Sequence, residues 1–200
     1  MLPLVKVTVS PAEQLCSTAP RELWVEPLVG FSSMKVYIDR DEGSPAALSG
    51  AEVILALGPL TTVAKAWEQG LLKETHSILV MGGSAAWGDV TPAAEGNVFL
   101  DPTAAETVFH CGLDVTMCGL DVLRKFAPSD KEIHMPLRQM VGELYLERPE
   151  LFRTVRCGVH VETEGAAARG KTVTDMESDK KFPDRDITVV LDVVTDGTAQ

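Results

Sequence analysis

The chain has 200 residues, 45% of them hydrophobic and 24% charged, with a formal net charge of -11. Length and a mean hydropathy of +0.08 suit one soluble domain with a real core, and no window offers the roughly 18 to 20 uninterrupted apolar residues that a membrane helix needs. With 29 acidic residues against 18 Lys and Arg, the composition argues against a surface built to neutralise nucleic-acid phosphates.

Met1-Leu2-Pro3-Leu4 is too short for the apolar region of a signal peptide, which predicts a cytoplasmic protein with no membrane partner. In the first fifty residues, Val5-Lys6-Val7-Thr8-Val9 and Met34-Lys35-Val36-Tyr37-Ile38 read as strands separated by Pro-containing irregular sequence. Residues 38–45, with Asp39 and Asp41, read as an exposed turn. From Glu52 onward the pattern alternates strand and helix. Residues 52–57 are a near-continuous apolar run stopped by Gly58-Pro59, as in a strand buried on both faces of a parallel sheet. Leu60 to Gln69 then suits a helix ending at Gly70. A second buried run, residues 77–81, ends at Gly82-Gly83, and a third, residues 114–118, ends at Gly119. A helix from about Pro102 to Cys111 lies between them. Such repeated units predict a mostly parallel, Rossmann-like open α/β sheet covered by helices, with the three glycine-marked strand ends lining one ligand-binding rim.

Downstream, Pro136 to Arg148 predicts an amphipathic helix with Leu137, Met140, Val141, Leu144 and Tyr145 on its covered side. Residues 158–163 and 187–193 read as strands that pair with each other, joined by an exposed charged connection in which Asp184 and Asp186 are solvated. Cys16, Cys111, Cys118 and Cys157 show no CxxC spacing and are expected to be reduced, mostly buried thiols. His76, His110 and His160 read as structural.

The segment from Gly88 to Asn97, followed by Asp101-Pro102, sets Asp89, Glu95, Asn97 and Asp101 around a strand-to-helix transition. Turns need Gly, Pro, Asn or Asp, but three carboxylates and an amide beside two apolar strands suggest a ligand-orienting loop. A plainer reading makes Asp101 a helix N-cap with Pro102 at the first helical position, leaving Glu95 and Asn97 solvated.

Five blocks resemble the inosine-uridine nucleoside hydrolase family in order and spacing: Gly58-Pro59-Leu60-Thr61, Val80-Met81-Gly82-Gly83, the Gly88 to Asn97 segment, Asp101-Pro102, and Met117-Cys118-Gly119-Leu120-Asp121-Val122. Weaker resemblance continues through residues 149–152, 159–165 and 169–173, so it runs from about Glu52 to Val193 of a single domain whose first fifty residues diverge. The resemblance implies hydrolysis of the N-glycosidic bond of purine or pyrimidine ribonucleosides in salvage. Water would attack an oxocarbenium-like centre, and calcium held by carboxylates would orient water and ribose. It also implies that Glu95 and Asn97 hold ribose hydroxyls, that the Met81 backbone faces the sugar, and that the Leu57 carbonyl is a calcium ligand. Asp89 stands where the family usually has Asn and would be a substrate-facing acceptor; Gly96 replaces a usual Phe and Thr62 a usual Asn.

His134-Met135-Pro136-Leu137 resembles the family's HDPL segment, in which His protonates the leaving base and Asp binds calcium. His134 is retained, whereas the Met135 thioether is unsuited to a hard ion. The family's DTDPGxDD loop, source of most calcium carboxylates and of the base that activates water, has no counterpart upstream of Gly58. A family sheet without its first strand and metal loop would expose an edge, and so self-associate as a homo-oligomer, unless residues 5–9 or 34–38 fill the place. Two functions follow. One is a calcium-dependent N-ribohydrolase. The other, favoured by the absent aspartate loop, is a catalytically silent relative or fragment that binds a ribose-like small molecule or a partner subunit.

Overall fold

The computed structural model describes residues 44–127, 129–176 and 186–194 in full, together with the backbone of three earlier strands. Those strands are β1 (Val5–Val9), β2 (Leu23–Val25) and β3 (Met34–Ile38). The βα pattern then runs β4 (Val53–Ala56), α1 (Thr61–Glu68), β5 (Ser77–Val80), α2 (Gly96–Leu100), α3 (Pro102–Phe109), β6 (Asp114–Cys118), α4 (Leu120–Leu123) and α5 (Met135–Glu147). It closes with β7 (Phe152–Val161), β8 (Thr172–Asp175) and β9 (Asp186–Val193).

The strands form one open sheet in the order β2-β1-β3-β4-β5-β6-β9-β7-β8. Pairing is parallel from β1 through β3, β4, β5 and β6 to β9, and antiparallel at β1–β2, β9–β7 and β7–β8. Both N-terminal segments read as strands therefore stand on the outer side of β4 and fill the place beside it, and the sheet ends on that side at β2. The pairing of residues 158 and 187 regions holds: Gly158 lies opposite Asp186 and Cys157 opposite Ile187. Asp186 thus opens a strand and is half-buried, which corrects its reading as a solvated loop charge. Strand β8 falls inside what reads as an exposed connection. Asp184, Cys16 and residues 39–43 lie outside the described residues.

Alternation along the central strands divides the core into two layers, because successive side chains leave a strand on opposite faces. Ile54, Ala56, Ile78, Val80, Val115 and Met117 face one layer, with α1 and α3 packed over them. Val53, Leu55, Leu57, Leu79 and Met81 face the other, covered from α4 and α5 by Val122, Leu123 and Val141. Each fully buried Leu or Ile here contributes about 1.5–3 kcal/mol by leaving water. Cys111, Cys118 and Cys157 are buried thiols outside any disulfide, as their apolar surroundings imply.

Helix α5 covers the second layer as its sequence implies, with Val141 buried and Leu137, Leu144 and Tyr145 packed against it, and Met140 is the exception. Its buried residues are Arg138, Val141 and Gly142, while Met140 is 50% exposed. Gly142 brings the helix close: a Cβ there would stand 2.7 Å from Leu55 Cδ1 and 3.0 Å from Met81 Sδ, so the helix approaches the strand ends backbone-first. One turn earlier, that face carries Arg138 inward.

Candidate functional site

The rim forms where β4, β5 and β6 end, at the carboxyl edge of the parallel strands. Gly119 and Gly83 set its floor. Gly83 has φ +80°, and a Cβ on Gly119 would sit 2.1 Å from the Gly83 carbonyl oxygen, so two strand ends meet with no room for a side chain. That carbonyl accepts the Leu120 N–H at 3.0 Å, which ties α4 to the rim.

Two clamps then hold the loop leaving β5. From α4, Asp121 accepts the N–H groups of Ala85 at 2.7 Å and Ala86 at 3.1 Å, while Lys171 Nζ donates to the carbonyls of Ser84, Ala85 and Ala86. Partial burial pushes the Lys171 ammonium below the ordinary lysine range, opposed by nearby Asp121. Thr172 exchanges both possible hydrogen bonds with the Ser84 backbone. Further along, Arg124 donates to the carbonyls of Trp87 and Gly88 and pairs with Asp130. Its guanidinium also stacks over the Trp87 ring at 5.1 Å.

Glu95 is the N-cap of α2 and is 1% exposed, so the solvated reading of this carboxylate is wrong. Its Oε2 accepts from the backbone N–H groups of Gly83 at 3.0 Å, Asn97 at 3.0 Å and Val98 at 3.2 Å. Its Oε1 accepts from Arg138 Nη2 at 2.8 Å, and Arg138 Nη1 donates to the Met81 carbonyl at 2.8 Å. Asn97 spans two strand ends: Nδ2 donates to the carbonyls of Leu57 at 3.0 Å and Met81 at 2.9 Å. Both amide hydrogens are thereby committed, and Oδ1 is the group's remaining acceptor. Asp89 is exposed, with Oδ1 accepting from Val90 and Gly96. Asp101 caps α3 through Ala104 N–H and accepts from Thr61 Oγ1 at 2.6 Å, as its position before Pro102 implies.

His134 is exposed at the N-cap of α5, where Nδ1 faces the Leu137 N–H at 3.4 Å. With Nδ1 as acceptor, the neutral ring carries its proton on Nε2. Met135 is half-buried and packs into the apolar layer beneath α5. His110 and His160 share Glu106 at 3.2 and 2.9 Å, which joins α3 to β7 and supports their structural reading.

The rim brings Leu57, Met81, Glu95 and Asn97 together by direct bonds. A hard cation does not fit the described residues at this point. The Met81 carbonyl already holds two N–H donors, the Leu57 carbonyl holds one, and Glu95 Oε2 holds three. Among the described residues no three His, Cys, Asp or Glu side chains are grouped to bind a metal. Calcium wants six to eight oxygen ligands. Arg138, Asp121, Lys171 and Thr172 were not singled out as site residues from sequence. The signal for Arg138 was its spacing of four from Gly142 on a helix otherwise covered by apolar residues.

Residues 44–144 match the model of the inosine-uridine preferring nucleoside hydrolase family. The chain is 35% identical over 157 residues to the pyrimidine-specific ribonucleoside hydrolase RihA of Photobacterium profundum, covering 61% of this chain and 51% of that protein. It is 34% identical over 183 residues to the non-specific ribonucleoside hydrolase RihC of Klebsiella pneumoniae, covering 76% and 60%. The chain thus spans about half to three-fifths of the length of these curated relatives. Among solved structures it is similar to a plant nucleoside hydrolase, with a TM-score of 0.60 and 24% identity over 74% of this chain and 59% of that one. It is also similar to a purine-preferring ribonucleoside hydrolase from Gardnerella vaginalis, with a TM-score of 0.57 and 25% identity over 70% and 55%.

Proposed function

Because this chain belongs to the inosine-uridine preferring nucleoside hydrolase family, we propose that its rim receives the ribose of a purine or pyrimidine ribonucleoside, and that the described residues form the sugar-facing half of a hydrolase site without completing hydrolysis. The observation that carries this reading is Asn97 locked across the ends of β4 and β5. With Nδ2 anchored on both sides, Oδ1 presents an acceptor of fixed direction to a sugar hydroxyl. Asp89, exposed on the same loop, adds carboxylate acceptor capacity. An acceptor-rich edge suits a ribose diol, whose hydroxyls donate, and suits the positive charge that grows on the sugar as an N-glycosidic bond lengthens.

His134 is the candidate general acid toward a leaving base, through Nε2 at the exposed start of α5. Two carboxylates of the rim are not available to activate water: Glu95 is buried and bonded on both oxygens, and Asp121 is occupied by the loop it clamps. In the family calcium would supply water orientation and polarisation, and the described oxygens do not offer it a cradle. A catalytically silent ribonucleoside-binding relative, cytoplasmic and without nucleic-acid partners, is the function that follows.

Saturation-transfer NMR of inosine and uridine, run beside a reducing-sugar assay, tests this. Ligand signals are expected with the wild-type protein and should fade with Asn97→Ala, while ribose release stays at the uncatalysed rate. Ribose release that depends on His134 would overturn the silent reading. Absence of saturation transfer from either nucleoside would overturn the binding reading.

A further inference from the structure

Every polar contact of the Arg138 guanidinium given above is to oxygen, one to the Met81 carbonyl and one to the Glu95 carboxylate, both at 2.8 Å. Its side chain is 9% exposed and that of Glu95 is 0% exposed. A charge so far from water must be matched locally, and this one is matched at the end of β5, joined through Asn97 to the Leu57 carbonyl for which the family resemblance implies a calcium ion. The fork geometry is the reason it succeeds. Two N–H groups of one planar group reach two oxygens that belong to different elements, β5's exit and α2's cap. A spherical ion in the same space would find Glu95 Oε1 and the Met81 carbonyl that Arg138 now occupies, two oxygens where a hard cation wants six to eight, since Glu95 Oε2 is committed to three backbone N–H groups and the Leu57 carbonyl to the amide of Asn97.

We infer that Arg138 is the resident cation of this rim, a tethered guanidinium in place of a free metal ion, and that the space it fills is a guanidinium site rather than a divalent-metal site. The site selects planar, forked donors. Shortening Arg138 vacates it for soluble guanidinium compounds, and calcium has no affinity for it in either form. The inference stands whether or not a nucleoside binds, since it concerns only what neutralises Glu95.

Thermal denaturation of wild type and Arg138→Ala, with methylguanidinium, choline or calcium chloride, tests it. Arg138→Ala is expected to melt several degrees below wild type, and about 10 mM methylguanidinium should restore about 3 °C of that deficit. Choline and calcium should restore none, and wild type should respond to none of the three. Equal recovery by choline, or greater recovery by calcium, overturns the inference. Should Arg138→Ala fail to fold, two measurements keep the question decidable. Calcium titrated calorimetrically into wild type should give no binding heat, and a saturable heat lost in Glu95→Gln would refute the assignment. Arg138→Lys should fold yet melt lower than wild type, because one ammonium lacks the fork; an unchanged melting temperature would refute the need for a guanidinium.

Discussion

Replacing Glu95 by Ala removes one carboxylate and leaves four donors behind. Three are the backbone N–H groups of Gly83, Asn97 and Val98; the fourth is Arg138 Nη2. Losing the cap of α2 costs about 1 kcal/mol. An orphaned Gly83 N–H in a buried position costs about 1–3 kcal/mol. Stranding the buried Arg138 charge costs about 3–5 kcal/mol. These terms overlap, because water entering the vacated space would solvate several donors together, so a total of about 4–6 kcal/mol is expected rather than the full sum. That is a large share of the roughly 5–15 kcal/mol by which domains are stable. At about 2–4 °C per kcal/mol for a chain of this size, the melting temperature falls by about 10–20 °C. Urea unfolding followed by far-UV circular dichroism and tryptophan emission measures it, with Glu95→Gln expected at about half the loss because one acceptor oxygen survives. A Glu95→Ala midpoint within about 1 kcal/mol of wild type at unchanged m-value would refute the buried pair. The size of the effect also means that loss of ligand binding in Glu95→Ala reports unfolding, and Asn97→Ala is the cleaner probe of sugar contact.

Gly119→Ala places a Cβ 2.1 Å from the Gly83 backbone oxygen, which cannot yield as a flexible side chain would, so it should cost about 4 kcal/mol or more and express poorly, whereas Gly112→Ala, with open space around it, should cost only about 1–2 kcal/mol; comparable urea midpoints for the two would contradict the packed rim. Cys118 is fully enclosed, and burial pushes its thiol up to about 12 despite nearby Arg138, so iodoacetamide at pH 8 should label it only after denaturation; peptide mapping that finds it modified in the folded protein would count against the closed rim. The Arg124 hydrogen bond holds Asp130 below its ordinary carboxylate value of 3.8. Stability from this pair is therefore complete above the unfolded value and is lost as pH falls through the folded one. Wild type and Asp130→Asn should differ by a constant amount above about pH 5 and converge in more acid solution, and a gap that widens on acidification would refute the pairing.

The parallel core was legible because its strands are short apolar runs ending at glycines, a pattern set by burial on both faces. Asp101 was legible too, since a carboxylate before proline at a helix start has one dominant use. Glu95 was harder. Composition marks it as a carboxylate in a polar loop, and only the fold reveals that the loop's end is drawn into the rim, where three N–H groups and a guanidinium converge. Arg138 was hidden by its charge. A cation on an amphipathic helix is normally placed on the wet side, and the argument that would have reversed this needed Gly142 to be recognised as a contact point with Leu55 and Met81. The β8 strand was masked by its charged surroundings, because an antiparallel strand at the sheet's end needs little apolar content. For the loop clamps of Asp121 and Lys171, partners lie 35 or more residues away, a distance at which local pattern carries no information.

Calorimetric titration of inosine and uridine into the wild-type protein, with and without calcium, tests the central claim most directly. A ribonucleoside rim whose charge is balanced internally by Arg138 predicts one saturable site with the same affinity in calcium and in chelator. Binding that appears only with calcium, or no binding of either nucleoside under both conditions, would contradict it.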